Sequence, residues 1–241
     1  MNKLNQISIV IPVYNEADNV ESLIHEISLS LASPQFLFEI IIVDDGSTDE
    51  TLANLLKLSR ANKYLRIIAH KKNYGQSVAL LSGVRASAYN MVVTLDGDGQ
   101  NDPADIARLF YLIEHERCVI LGNRIKRHDS KLQKISSLVG NAVRNFYLKD
   151  GCPDTGCGLK IFSRSAFLGL PHFNHFHRFL PALFKRAGYE LINAPVNHRP
   201  RVYGVSKYGV MNRLFVGIYD LIGLCWLLKR PCSPEFLDDI D

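Results

Sequence analysis

The chain has 241 residues, a hydrophobic content of 47% and a formal net charge of +4. This length and composition suit one large domain with a substantial core, and the mild charge argues against a protein that binds long nucleic acid. The longest apolar stretch, 214–228, contains Asp220 and is shorter than the roughly 20 residues that a bilayer span needs, so we expect no transmembrane helix. A polar N-terminus and five cysteines without regular pairing predict no secretory signal and reduced thiols.

Five short apolar runs predict buried strands, and amphipathic helices are predicted between them. The runs are 7–13, 38–43, 65–70, 90–95 and 118–122. The helices are predicted to start with Asn15 as a cap, with a capping box from Ser47 to Glu50, near Val78, and with Pro103 in the first turn. Continuous apolar strands alternating with helices predict a Rossmann-like α/β fold with a mostly parallel sheet.

Four polar clusters follow these strands directly. They are YNE (14–16), DDGS (44–47), NYGQ (73–76) and DGDGQ (96–100). Ligands of parallel sheets bind at the carboxyl ends of the strands. We therefore expect the four clusters to lie along one edge of the sheet.

The second half of the chain is basic and carries two amphipathic segments. Between residues 124 and 149 there are seven Lys or Arg residues and one acid, Asp129. Apolar residues recur at helical spacing over 132–147, and the apolar segment 211–228 carries Trp226 and is followed by two cations. Both segments fit either an ordinary core helix or a membrane-interface helix, and the basic flanks favour the interface.

The stretch LDGDGQNDP (95–103) carries three aspartates and two glycines at the end of the predicted strand 90–95. It fails as a calcium-binding EF-hand loop because Asn101 stands where the loop needs glycine and Ala107 stands where it needs glutamate. An ordinary turn explains one Asp or Gly, but not two carboxylates at Asp96 and Asp98. Such a pair at a strand end suits Mg²⁺ or Mn²⁺, which takes few carboxylates together with phosphate oxygens of the substrate.

Asp44 and Asp45 end the second predicted strand. Acids at this place accept hydrogen bonds from ribose hydroxyls or a base in other nucleotide-binding folds. The alternative is helix capping, which we take to account for Ser47. Four histidines, 172, 175, 177 and 198, lack the tight spacing of metal ligands, and we expect them to pack or to form hydrogen bonds.

The ordered set IPVYNE (11–16), VDDGSTD (43–49), NYGQ, LDGDGQNDP and DTGCGLK (154–160) resembles family 2 glycosyltransferases with the GT-A fold. More narrowly, it is similar to the polyprenyl-phosphate branch typified by dolichyl-phosphate mannose synthase. The likeness continues through GNR (122–124) and RVYGVSKYG (201–209). It implies a GT-A domain over 1–210, with a donor-binding half to about residue 123 and an acceptor-binding half after it. Residues 211–241 would then be a C-terminal amphipathic segment and tail.

The resemblance implies a donor site, a metal site and a set of catalytic residues. Asp98 and Gln100 would hold Mg²⁺ or Mn²⁺. The expected catalytic residues are Asp96, Asp98, Arg124 and Asp154. One departure is Gly97, because many relatives have Asp-Ala-Asp here; glycine leaves both carboxylates in place. The donor nucleotide would contact Pro12, Tyr14, Glu16, Asp44, Asp45, Gly75, Gln76, Asp96 and Gly97.

The resemblance also implies a basic site for an acceptor phosphate. Its members would be Arg124, Arg127, Lys131, Arg201 and Lys207. Arginine offers a bidentate fork and lysine a flexible point charge for phosphate. The cations at 126–134 fit solvated helix charge equally well, and Asp154 fits a turn cap as well as an acid near the acceptor.

The predicted activity is inverting transfer of a sugar from a UDP- or GDP-sugar to a polyprenyl phosphate, for cell-envelope or glycan synthesis. We expect a peripheral or monotopic enzyme on the cytosolic leaflet. One alternative is a family 2 transferase with a saccharide acceptor, which leaves the basic cluster unexplained. Another is a non-catalytic nucleotide-sugar-binding or scaffolding protein. A dinucleotide-binding Rossmann protein is excluded because PVYNEA replaces the glycine motif. The sugar, the nucleotide and a homo-oligomeric state stay open.

Overall fold

The computed structural model describes residues 5–125, 142–200 and 210–230. The strands are β1 (Asn5–Val13), β2 (Phe36–Asp44), β3 (Leu65–Ala69), β4 (Met91–Thr94), β5 (Cys118–Arg124), β6 (Lys160–Ser163) and β7 (Glu190–Val196). The helices are α1 (Val20–Ser30), α2 (Thr51–Ala61), α3 (Gln76–Ala86), α4 (Asp105–Phe110), α5 (142–148), α6 (Arg164–Leu168), α7 (Leu180–Arg186) and α8 (Val210–Leu228). A short 3-10 helix, Phe176–Phe179, precedes α7.

The strands form one sheet in the order β3-β2-β1-β4-β6-β5-β7. β6 runs antiparallel to β4 and to β5, and every other pairing is parallel. All five strands predicted from the apolar runs are present, which confirms the mostly parallel α/β fold. β6 and β7 were not predicted, because β6 has only four residues and β7 contains Asn193 and Pro195.

Two apolar clusters cover the two faces of the sheet. One joins α1, α2 and α4 to the side chains of alternate strand residues, such as Ile9 and Ile40. The other joins α3, α6 and α7 to the opposite face, and it takes in Leu148 from α5 and Leu224 from α8. The helices α5 and α8 therefore lie on the same side of the sheet, and each contributes a buried leucine, Leu148 or Leu224, to its core.

Three predicted helix starts are wrong. α1 begins at Val20 after Asn19, while Asn15 has a left-handed φ of 52° in the loop before it. α2 begins at Thr51 without a side-chain cap, and the Ser47 hydroxyl instead accepts a hydrogen bond from the Asn15 backbone N–H at 2.9 Å. α4 begins at Asp105, two residues after Pro103. Capping residues and loop cross-links use the same polar side chains, so the sequence pattern did not distinguish them.

None of the helices in the described ranges is long and apolar enough to cross a membrane.

Candidate active site

The loops after β1 and β2 are joined along the carboxyl edge of the sheet. The Glu16 backbone N–H donates to the Thr51 hydroxyl at 2.8 Å, and the Thr48 backbone N–H donates to the Asn15 side-chain oxygen at 2.8 Å. Pro12 lies beside Val43 in the strand pairing, one residue before the end of each strand. The structure thus places Pro12, Tyr14 and Glu16 next to the loop that follows Asp44 and Asp45.

The two acids after β2 organise the neighbouring backbone. The buried Asp45 carboxylate accepts hydrogen bonds from the backbone N–H groups of Tyr74 and Gly75, at 3.0 and 2.7 Å. It also lies 2.7 Å from His70 Nδ1. Asp44 accepts from the Ser47 backbone N–H at 3.3 Å. Asp45 therefore fixes the shape of the NYGQ loop, and its contact with a base or ribose stays a prediction.

Asp96 stands at the end of β4 and connects to the NYGQ loop. The Gln76 side-chain amide donates to its Oδ1 at 3.1 Å, and its own backbone N–H donates to the Asn101 side chain at 3.1 Å. Burial, followed by the charge of Asp98, raises the pKa of Asp96 to about 6. Contacts along the edge thus run from β1 to β4, which confirms that the four polar clusters meet there.

Asp98 and Gln100 offer hard oxygen ligands beside Asp96. The Gln100 backbone N–H donates to Asp98 Oδ1 at 3.2 Å, which holds the two side chains on one turn. The Gln100 Nε2 group donates to the Arg199 carbonyl at 3.3 Å, so the amide oxygen Oε1 is the atom it offers to a cation. Within 5–125, 142–200 and 210–230, no three His, Cys, Asp or Glu side chains form a metal cage. Few protein ligands and excess negative charge suit Mg²⁺ or Mn²⁺, which also takes phosphate oxygens and water.

Two glycines allow the acidic turn to pack closely against its neighbours. A Cβ at Gly97 would lie 2.6 Å from Val13 Cγ1, so glycine rather than alanine fits between Asp96 and Asp98 in this chain. A Cβ at Gly158 would lie 2.4 Å from the Asp96 carboxyl group. The DTGCGLK turn therefore packs directly against Asp96, and a side chain at Gly158 would displace the Asp96 carboxylate.

Arg124 and Asp154 form a buried, bidentate ion pair. Arg124 Nε and Nη2 donate to the two Asp154 oxygens at 2.6 and 2.7 Å. Burial lowers the pKa of the Arg124 guanidinium, but the hydrogen bonds and charge of Asp154 outweigh that effect and raise it above its ordinary value. The sequence placed both residues near the acceptor and did not predict their pairing, because 30 residues separate them.

The sequence analysis did not place Lys160, Ser77 or His177 at the site, although it expected His177 to pack or to form hydrogen bonds. The buried Lys160 ammonium bonds the carbonyls of Thr155 and Cys157 and so stabilises the DTGCGLK turn from inside. His177 and Ser77 share a hydrogen bond of 2.8 Å next to Gln76. The available signal was weak for each: Lys160 closes the DTGCGLK motif, whereas His177 and Ser77 are 100 residues apart.

The predicted acceptor cations other than Arg124 lie outside the described residues. Arg127 and Lys131 fall within 126–141, and Arg201 and Lys207 fall within 201–209. Their roles stay predictions. Cys157 is buried, and burial raises the pKa of its thiol to about 11.

This mostly parallel sheet, with a carboxylate pair at the end of its central strand, defines an α/β protein of the GT-A type. The chain belongs to glycosyl transferase family 2, because the sequence model of that family matches residues 8–169. The family predicted from the sequence motifs is thereby confirmed, and the chain is a glycosyltransferase by class.

Curated relatives and solved structures agree with this family. The chain is 33% identical over 95% of its length to a dodecaprenyl-phosphate galacturonate synthase from Rhizobium johnstonii, of which it covers 69%. It is also 33% identical over 91% of its length to an undecaprenyl-phosphate 4-deoxy-4-formamido-L-arabinose transferase from Sodalis glossinidius, of which it covers 68%. The fold matches glucosyl-3-phosphoglycerate synthase from Mycobacterium tuberculosis, in complex with Mn²⁺, uridine diphosphate and glucosyl-3-phosphoglycerate. The TM-score is 0.68 at 22% identity, covering 95% of this chain and 82% of that one.

Proposed function

We propose that this chain transfers one sugar, with inversion, from a nucleotide diphosphate sugar to a polyprenyl phosphate. The observation that carries the proposal is the arrangement of Asp96, Asp98 and Gln100 at the end of β4, with the Arg124–Asp154 pair across the DTGCGLK turn. Two relatives at 33% identity are named as enzymes of polyprenyl-phosphate-linked sugars, which supports the choice of acceptor. The product would serve cell-envelope or glycan synthesis.

On the donor side, Asp98 and Gln100 would hold Mg²⁺ or Mn²⁺. When bound, the ion supplies positive charge that stabilises the leaving nucleoside diphosphate. Asp45 holds the backbone of Tyr74 and Gly75 in place for the nucleotide, and Gln76 orients the Asp96 carboxylate toward the sugar. Asp96 is well placed to stabilise an oxocarbenium-like transition state, since positive charge develops on the sugar there.

On the acceptor side, a phosphate is anionic at neutral pH and attacks without a strong general base. The protein must hold it close to the negative diphosphate, which is a task of positioning and electrostatics. Arg124 uses Nε and Nη2 to bond Asp154, and in our proposal Nη1 serves the acceptor phosphate. Because Asp154 offsets much of the Arg124 charge, further cations are required. Arg127, Lys131, Arg201 and Lys207 are the candidates.

We propose that the face of α5 and α8 docks on the cytosolic membrane surface as a peripheral contact. Tyr219, Ile222 and Trp226 of α8 are 80%, 65% and 59% exposed, and α5 exposes Phe146 at 75% and Tyr147 at 60%. Amphipathic helices that bear aromatic residues and end in basic residues bind membrane interfaces.

The ends of α5 and α8 meet at α7 and bring cations together there. Lys185 donates to the Lys149 carbonyl at 2.5 Å, and Arg186 donates to the Arg230 carbonyl at 2.9 Å. Arg230 also lies 5.0 Å from the centre of the Trp226 ring. With Lys229, these residues form a basic cluster beside the exposed aromatic side chains, and anionic lipid headgroups complement its charge.

A transfer assay with three acceptor classes tests the proposed function. Purified protein with Mn²⁺ is incubated with a panel of UDP- and GDP-sugars and one acceptor: a short polyprenyl phosphate, 3-phosphoglycerate or an oligosaccharide. We expect a glycolipid from one donor with the polyprenyl phosphate only. Product from the phosphoglycerate or the saccharide alone contradicts the lipid acceptor. Donor binding without any product would support the non-catalytic alternative.

Cosedimentation with vesicles tests the docking surface. Replacing Trp226 with alanine should weaken binding to vesicles containing anionic phospholipid by about tenfold, because the buried apolar area at the interface decreases. Tyr111→Ala is the matched control, since Tyr111 is 59% exposed, as is Trp226, but extends from the end of α4 on the opposite side of the sheet. Equal effects of the two variants contradict the surface.

A further inference from the structure

The segment 174–177 lies between α8 and the first turn of α3, and it contacts both. On the α8 side, His175 Nδ1 lies 3.0 Å from Asp220 Oδ2. On the other side, the Ser77 hydroxyl lies 2.8 Å from His177 Nδ1 and accepts the His177 backbone N–H at 3.3 Å. We call residues 174–177 the histidine strap, because its two histidines make these two attachments.

A carboxylate on the buried face of an apolar helix is unfavourable unless it has a hydrogen-bonding partner, and Asp220 is such a residue. It is the only acid in α8, Val210–Leu228. Leu224, one turn later, is buried in the core, whereas Tyr219, Ile222 and Trp226 are exposed. Residues four apart share a helix face, so Asp220 lies on the face toward the protein. Its carboxylate there meets the imidazole of His175.

The strap is held in a conformation that it would not readily adopt alone. His175 has a φ of 65°, in the left-handed region, although it is not glycine. Its backbone N–H bonds the Asn174 side-chain oxygen at 3.0 Å, and that oxygen lies 3.8 Å from where a Cβ of Gly75 would stand. Strained residues persist where the surrounding structure holds them, and Asp220 supplies one such hold.

The His177–Ser77 contact is a hydrogen bond between neutral groups. Burial, and then the nearby charges of Arg178 and Lys160, lower the pKa of His177 to about 3. Ser77 follows Gln76, whose amide bonds Asp96 at 3.1 Å. The strap is therefore two hydrogen bonds and one peptide link from the carboxylate of the candidate donor site.

We propose that the histidine strap makes the donor site depend on α8: Asp220, His175, His177 and Ser77 are positioning residues that hold the NYGQ loop in its nucleotide-binding shape. The inference rests on the proposed function, because the NYGQ loop is taken to bind the donor nucleotide. None of the four residues needs to touch the substrate. Loosening either attachment should therefore weaken nucleotide binding while the acceptor requirement stays the same.

Calorimetric titration of Mn²⁺-UDP and Mn²⁺-GDP into the full chain tests the strap without an acceptor. Asp220→Leu and Ser77→Ala should each raise the dissociation constant of the preferred nucleotide about fivefold, the lower end of typical coupling between distant sites. His175→Asn is the gentler second variant, since asparagine tolerates the left-handed backbone. His115→Asn is the matched control, because His115 makes the same kind of contact with Glu190, at 2.9 Å, away from the strap.

The double variant Asp220→Leu/Ser77→Ala distinguishes a strap from two separate contacts. If both attachments act through one segment, the double variant should bind about five- to eightfold more weakly than the wild type, rather than the roughly 25-fold expected of independent sites. Steady-state kinetics should show a raised donor KM with an unchanged acceptor KM. Nucleotide binding equal to wild type in all strap variants, or an additive double variant, overturns the proposal. A wild-type chain that binds neither nucleotide instead refutes the proposed function.

Discussion

The donor half and the acceptor half of the sheet edge stabilise their charged side chains in different ways. Donor-side carboxylates are held by hydrogen bonds without a Lys or Arg partner: Asp45 by two backbone N–H groups and the His70 ring, and Asp96 by the Gln76 amide. Acceptor-side arginines are held by opposite charges, as Arg124 is by Asp154 and Arg144 by Asp150. The donor side therefore keeps a surplus of negative charge, which suits a cation. The acceptor side neutralises its arginines internally and has to recruit more positive charge for an anionic ligand.

The largest expected effect comes from removing the carboxylate that we assign to the metal. Asp98→Ala should lower turnover by about a thousandfold or more, since the charge on the leaving diphosphate loses its stabilisation. The fold should persist, and a calorimetric titration should show that Mn²⁺ no longer strengthens nucleotide binding. Asp18→Ala removes an exposed acid from the loop after β1 and serves as the control. Retained turnover in Asp98→Ala would sink the metal assignment.

The ion pair of the acceptor side predicts the next largest effect, on stability. Asp154→Ala leaves the Arg124 guanidinium buried without its partner, which should cost about 3 kcal/mol in the free energy of unfolding. Urea denaturation followed by circular dichroism measures it. The double variant Arg124→Met/Asp154→Leu should recover most of that loss, because no buried charge is left alone. A single variant within about 1 kcal/mol of wild type contradicts a buried pair.

On the donor side, removing a charge should stabilise the protein, whereas on the acceptor side it destabilises it. The folded pKa of Asp96, about 6, lies above its ordinary value of 3.8. Its contribution to stability is therefore present below pH 3.8 and is lost as the pH rises through 6. In EDTA, Asp96→Asn should be more stable than wild type by about 2 kcal/mol at pH 8, with no difference near pH 4. Asp18→Asn is the control, and a destabilised Asp96→Asn at pH 8 contradicts the account.

The smallest of these effects separates donor from acceptor recognition. Arg124→Lys keeps the charge but loses the two-pronged contact with Asp154. We expect the acceptor KM to rise about tenfold and the donor KM to change less than twofold, since only the acceptor phosphate is proposed to meet this residue. Initial rates measured with each substrate varied in turn provide the test. Equal changes in both KM values argue against the acceptor role.

The central strands and the site at their ends were predictable because their signals are local. The runs 7–13 and 38–43 are apolar and β-branched, and a parallel sheet places their polar ends on one edge. β6 escaped prediction because four residues carry little pattern and its pairing with β4 is set by tertiary contacts. The Arg124–Asp154 pair and the histidine strap could not be predicted from the sequence for a related reason. Their partners are far apart in the sequence, and single charged or polar residues have many possible roles.

The sequence pattern also predicted wrong helix starts, because the same residue types serve as helix caps and as links between loops. Ser47 and Asn15 have the chemistry of helix caps, yet they bond each other's loops across the ends of β1 and β2. The same cross-linking places Tyr14 and Glu16 at the edge of the sheet. The helix starts were therefore predicted wrongly because the residues taken as caps instead hold the loops of the donor site together.

The most direct test of the central claim is the stoichiometry and stereochemistry of a single transfer. Wild-type protein, Mn²⁺, the active nucleotide sugar and a short polyprenyl phosphate are mixed, and nuclear magnetic resonance follows the anomeric carbon. We predict one glycolipid for each nucleoside diphosphate released, with the anomeric configuration inverted, because the acceptor phosphate attacks the sugar directly. Retained configuration, or nucleoside diphosphate released without glycolipid, would contradict direct transfer at this site.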